Sequence, residues 1–258
     1  MQRFLQQTDD EAIQCVQSYL EHGGSALEIL QTMEGESGVS PVVAFDVVNR
    51  VLLQIGTKLP QYQNAAYDAC RYLLNTYLTQ INKMLGLSSS MKERVVTLKL
   101  LTTMVTFSAV LAKDVLLNVN FNPTNLELLT KVGDGKNEAR AALIHFITAY
   151  LVDGHFPTLS VLLEKKGLMT SIIRGLQFDR ADVVVLVVTA MTNHILENPS
   201  VSKTVKMKTF STPVVKDIVN LYNWKGPVGL ADHKKHKIVA VSALICVKIN
   251  FKTCFLGG

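Results

Sequence analysis

One stretch constrains this chain more than any other: Asp179 to Trp224, DRADVVVLVVTAMTNHILENPSVSKTVKMKTFSTPVVKDIVNLYNW. Its centre, Val183 to Met191, is apolar on every side. A helix with no polar face has to be covered by neighbours over most of its circumference, as in the middle of a layered stack. Five valines in six residues also carry β propensity, so a strand competes. Length and boundaries decide for a helix. Asp179 reads as its N-cap with Asp182 three residues on, Thr192, Asn193 and Glu197 continue it, and Asn198-Pro199 stops it.

Composition supports burial on many sides. Apolar residues make up 48% and charged residues 18%, which excludes general disorder. The longest apolar runs, Val183 to Ala190 and Ile238 to Val247, fall short of the ~20 residues a bilayer demands, so no membrane role is expected. MQRFLQQTDDE at the N-terminus has no apolar signal core, and an intracellular chain is expected. Cys15, Cys70, Cys246 and Cys254 form no CxxC pair and read as buried free thiols. The net charge of +5 is uneven: residues 199–258 hold ten Lys against two Asp, a surplus of +8, leaving about −3 for residues 1–198. A basic end on a weakly acidic body fits contact with phosphate or an acidic partner.

Helical periodicity runs along the chain. Thr8 and Glu11 form a capping box ahead of Ile13, Val16 and Leu20, and Gly23-Gly24 ends that run. A short helix is predicted from Ala26 to Met33, then a turn-rich linker at 35–41. Pro41 opens a helix with Phe45, Val48, Leu52 and Ile55 inward and Asp46, Asn49 and Arg50 outward. Tyr67, Cys70, Leu74, Tyr77, Ile81 and Leu85 read as one long helix up to Gly86. Ser90 and Glu93 make a second capping box, and the wide stripe that follows, including Val96, Leu100 and Met104, marks an interior helix. Further helices are predicted over 109–119, from Pro123, from an Asn137 cap to Asp153-Gly154, and over 157–166 and 168–176. Spacing of ~40 residues between long helices is the period of armadillo and HEAT repeats. The expected class is therefore all-α, an armadillo/HEAT-like helical-repeat solenoid, with no sequence self-similarity to certify the repeat.

No chemistry can be assembled from the residues. GDGKN at 133–137 lacks the strand, first Gly and Ser or Thr of a phosphate loop. His145 and His194 have no Cys or acidic residue at ligand or triad spacing, and His233 and His236 sit among lysines that disfavour a metal ion. We expect no enzyme, no catalytic or metal-binding residue, no cofactor and no small-molecule substrate. Two basic clusters remain, Lys203, Lys206 and Lys208, and His233 to Lys237. The first is a candidate contact for RNA phosphates or a partner, set against a simply solvated connection; the second has the composition of a nuclear localisation patch. Trp224 reads as packing against the preceding layer.

These residues also carry a resemblance. Ala109-x-x-Ala112-Lys113-Asp114-Val115, Asn120-Phe121-Asn122, ARAALIHFITAYL, VLLEKKG, NPSVSKTVKMKTF and LYNW, in that order, resemble the N-terminal region of the nucleolar pre-ribosomal-associated protein 1 family. The resemblance extends loosely back to Asp9 and forward to Gly226. It implies a large nucleolar, helical-repeat scaffold for early assembly of the large (60S) ribosomal subunit and pre-rRNA processing. It also implies partners among assembly factors, including a DEAD-box RNA helicase, and contact with pre-rRNA. The family is much longer, so a truncated chain or fragment is expected. Residues 1–226 are then one helical-repeat domain and 227–258 a basic and apolar tail that departs from the family. The alternative is a helical-repeat adaptor in transport or signalling with no RNA role.

Overall fold

The computed structural model describes residues 2–221 apart from 26, 29–30, 32–38, 122, 134–135 and 153–167. The expected linker at 35–41, the Asp153-Gly154 stop, the helix over 157–166, Trp224, the 233–237 cluster, Cys246, Cys254 and the tail fall wholly or mostly outside the described residues. So does most of the predicted helix from Ala26 to Met33, where Leu27, Glu28 and Gln31 are helical. Every regular element described is helical and none is a strand. Two compact units divide at residue 120.

The first unit opens with α1 (Gln2–Leu5), α2 (Asp9–Glu21) and α3 (Pro41–Lys58). The Thr8 capping box forms as the sequence predicts, and α2 ends before Gly23, whose φ of +86° only glycine adopts without strain. Pro41 takes the first position of α3 and the Ser40 hydroxyl accepts from the Val42 N–H. Phe45, Val48, Leu52 and Ile55 point inward. Arg50 does not simply face water. Its guanidinium donates to the carbonyls of Phe4, Gln7 and Thr8 and lies over the Phe4 ring, fastening α1 to α3.

The run predicted as one helix breaks at Tyr77 into α4 (Gln63–Thr76) and α5 (Leu78–Leu85). Apolar spacing persists through the break, so hydrophobicity alone does not reveal it; Cys70, Leu74, Ile81 and Leu85 are all buried. The centre of this unit is α6 (Met91–Phe107), which packs against α3, α5, α4 and α7 (Ala109–Asn118). That is why its apolar residues run round most of the helix, as the sequence predicts for an interior element. Asn49, expected to face water, is buried at the contact of α3 with α6, where its Oδ1 accepts from the Thr103 hydroxyl at 2.6 Å. Cys15, expected to be buried, is exposed on α2, while Cys70 is buried and its thiol is pushed up to about 12 by loss of hydration.

Both capping boxes make a pH prediction. The carboxyls of Glu11 and Glu93 are held below their ordinary value of 4.5, chiefly by the backbone N–H groups of Thr8 and Ser90. A depressed folded value means that each cap contributes fully above the unfolded value and is lost as pH falls through the folded one. Amides in the first turns of α2 and α6 are expected to exchange faster as pH drops below 4.5, once intrinsic rates are corrected, and Glu93→Gln should remove that dependence in α6 alone. NMR hydrogen exchange reads both.

The second unit contains α8 (Pro123–Leu129), α9 (Asn137–Val152), α10 (Leu168–Gly175), α11 (Ala181–Met191), α12 (Lys203–Thr209) and α13 (Thr212–Asn220). Asn137 is the first residue of α9, and its side-chain oxygen accepts from Gly133 N–H, closing the preceding loop. Leu143, Phe146, Ile147 and Tyr150 are inward as predicted. The valine segment is helical. It packs on α9 and runs on through a π-turn at Thr192–Leu196, stopping before Asn198-Pro199.

Candidate functional site

Ser202 starts α12 as an N-cap, its hydroxyl accepting from the Val205 N–H, and the Thr209 hydroxyl donates to the Val205 carbonyl in the last turn. Val201, Thr209 and Phe210 are buried and anchor both ends. Lys206 and Lys208 occupy the last turn, where cations favour the helix dipole. At about 100° per residue, Lys203 and Lys208 fall at the two edges of the solvent-facing side. Thr204 and Met207 lie between them, and Met207 is 53% exposed. Lys206 sits on a flank and is half-buried. The three predicted lysines thus form a broad face of two, with Lys206 turned aside. Sequence reading missed Thr204 and Met207, although Lys203 to Met207 and Thr204 to Lys208 are each four apart and share a helix face.

The same unit holds a buried polar cluster that sequence reading did not foresee. Arg140 on α9 is fully buried. Its Nε lies 2.8 Å from Asp179 Oδ2 and 3.1 Å from Oδ1, and Nη1 donates to the Thr130 carbonyl at 2.8 Å. Nη2 donates to the Ile172 carbonyl. Asp179 is therefore not the N-cap of the valine helix. Arg180 holds that position without a side-chain bond to the helix, and Asp179 turns inward to meet the guanidinium. Burial raises the Asp179 carboxyl above its ordinary value, and Arg140 opposes that shift. One side chain so joins the end of α8, the middle of α10 and the start of α11. Gly175 is the residue that leaves room for it: a Cβ there would lie 2.4 Å from Arg140 Cζ. Elsewhere α10 packs on α13, with Arg174 Nε 3.6 Å from Asp217, too long for a hydrogen bond.

The arrangement offers contact surface. His145 is exposed and His194 half-buried. Among the described residues no His, Cys, Asp and Glu group is placed to hold a metal ion, and no helix is long and apolar enough to cross a membrane. A cleft of about 10 Å³ between α9, α10 and α11 is lined by apolar residues, including Ile144, Leu151 and Val187, and has room for no more than about one water.

Similarity to known proteins agrees with the sequence reading. The ribosome 60S biogenesis N-terminal (Npa1) family matches residues 26–247. Nucleolar pre-ribosomal-associated protein 1 of Homo sapiens is 25% identical over 222 residues, covering 84% of this chain, and that of Mus musculus 25% over 224 residues, covering 85%. The chain spans 10% of the length of these relatives. No solved structure matches it.

Proposed function

The chain belongs to the ribosome 60S biogenesis N-terminal family, and from that premise we propose that it is a non-enzymatic helical scaffold in nucleolar assembly of the large ribosomal subunit and pre-rRNA processing. The observation that carries this reading is the family match over residues 26–247, on a chain whose described elements are all helices. Interior helices covered by several neighbours, α3 and α6 in the first unit and α9 and α10 in the second, support armadillo/HEAT-like repeats within each unit. We assign residues 1–226 to this helical-repeat domain and 227–258 to a separate basic and apolar tail. Partners are other ribosome assembly factors, a DEAD-box RNA helicase among them on the family resemblance, and pre-rRNA. Location is nuclear and nucleolar, in line with the names of the relatives.

In this reading the α12 face touches the RNA backbone. Lys203 and Lys208 supply charge, Thr204 a hydroxyl and Met207 an apolar surface for a sugar or base. Each phosphate contact adds about 0.7 to the salt slope of single-strand binding. Lys203→Glu and Lys208→Glu are each expected to weaken binding to pre-rRNA fragments and flatten its salt dependence by that increment, with Lys206→Glu weaker in effect. Filter binding between low and physiological salt measures this. An affinity indifferent to all three substitutions and to salt would favour an adaptor without an RNA role.

A further inference from the structure

We propose that α5–α6 and α8–α9 are two copies of one helical repeat, each locked by a buried arginine in the first turn of its second helix. The inference goes beyond the scaffold reading and stands whether or not the chain binds RNA. Arg94 is the fourth residue of α6 and Arg140 the fourth of α9, 46 residues apart. Both are buried. Both reach back to the carbonyl of the residue that follows the preceding helix: Arg94 Nη2 to Gly86 at 3.0 Å, with Leu87 at 2.9 Å, and Arg140 Nη1 to Thr130 at 2.8 Å. These are carbonyls that a helix end leaves without an intrahelical partner, and a guanidinium in a dry site satisfies them with charge-assisted bonds.

Burial repeats at the same offset. Leu98, Leu101 and Val105 in α6 have Ile144, Ile147 and Leu151 as counterparts in α9, all inside. The outward positions also coincide: Lys92, Lys99 and Thr106 against Glu138, His145 and Val152, each set seven residues apart. Residue identity is retained at the arginine and hardly elsewhere, which is why the chain shows no overt self-similarity. The period lies in the 40–47-residue range of HEAT and armadillo units. The second copy elaborates the device, since Arg140 also binds Asp179 and the α10 backbone. The charge differs on the outward strip, at Lys92 and Lys99 against Glu138 and His145, and at the capping-box Glu93, whose counterpart is the buried Ala139.

The test is hydrogen exchange by mass spectrometry on the whole chain with Arg94→Lys, Arg140→Lys and, as an exposed control, Arg71→Lys. Lysine keeps the charge and cannot fork across two acceptors. Arg94→Lys is expected to speed exchange by about tenfold or more at the end of α5 and the start of α6, and Arg140→Lys at the end of α8 and the start of α9. Changes no larger than those of Arg71→Lys, or spread evenly over both units, overturn the proposal. If a lysine variant does not fold, the strip exchange Lys92→Glu, Lys99→His, Thr106→Val provides the second arm. It gives α6 the outward residues of α9, and the repeat requires the cooperative thermal transition to survive; its loss overturns the equivalence.

Discussion

Arg140→Ala is expected to destabilise the unit formed by residues 121–258 by about 3–5 kcal/mol, enough to unfold much of it at physiological temperature. The alanine removes the only buried cation beside Asp179 among the described residues, and it takes the guanidinium donor away from the buried Thr130 and Ile172 carbonyls. An unpaired buried carboxylate costs more than the pair contributes, because it has lost both its hydration and its partner. Replacing both residues separates the two effects. Arg140→Met with Asp179→Leu should recover the part of the loss that comes from the unpaired carboxylate, while the Thr130 and Ile172 carbonyls still lack the guanidinium. Urea denaturation of Arg140→Met, Asp179→Leu and the double variant against wild type measures the cycle; a loss below about 1 kcal/mol for Arg140→Ala would place the guanidinium in solvent and refute the cluster.

Phe146→Ala is expected to cost about 3–5 kcal/mol in the same unit. Phe146 is fully buried, stacked on Phe121 at 5.3 Å between centroids and met edge-on by Tyr150 at 5.2 Å. Truncation leaves a cavity walled by these two rings, which surrounding structure fills only in part. Phe178 gives the contrast: it is 51% exposed, and its alanine variant should lie within about 0.5 kcal/mol of wild type. Equal losses at the two positions would contradict the packing described here.

What could be read from the sequence divides along a physical line. Capping boxes such as Ser90 with Glu93 span three residues and use groups that sit beside each other in the chain, so local grammar finds them. Apolar stripes such as Leu98, Leu101 and Val105 follow from helical period, and the interior position of α6 follows from their width. Asp179 satisfies the same local grammar and yet is no cap, because the partner that turns it inward stands 39 residues earlier. Asn49 failed likewise. Its partner, Thr103, is 54 residues away, and a buried amide paired with a hydroxyl looks in sequence like any outward polar residue. Cys15 stands next to the buried Val16, yet one residue off the stripe is a rotation of about 100° and lands in solvent. At the candidate site, composition picks out three lysines and no helix phase. Only helix phase shows that Lys203 and Lys208 flank Met207 while Lys206 turns aside.

The central claim is that this chain serves large-subunit assembly. Its most direct test is recovery of the tagged chain from nuclear extract, followed by sequencing of the RNA that comes with it. Large-subunit precursor RNA is expected to be enriched together with large-subunit assembly factors, and to fall when Lys203 and Lys208 are changed to Glu. A chain recovered folded and in good yield, with large-subunit precursors no more abundant than in a mock purification, would contradict it.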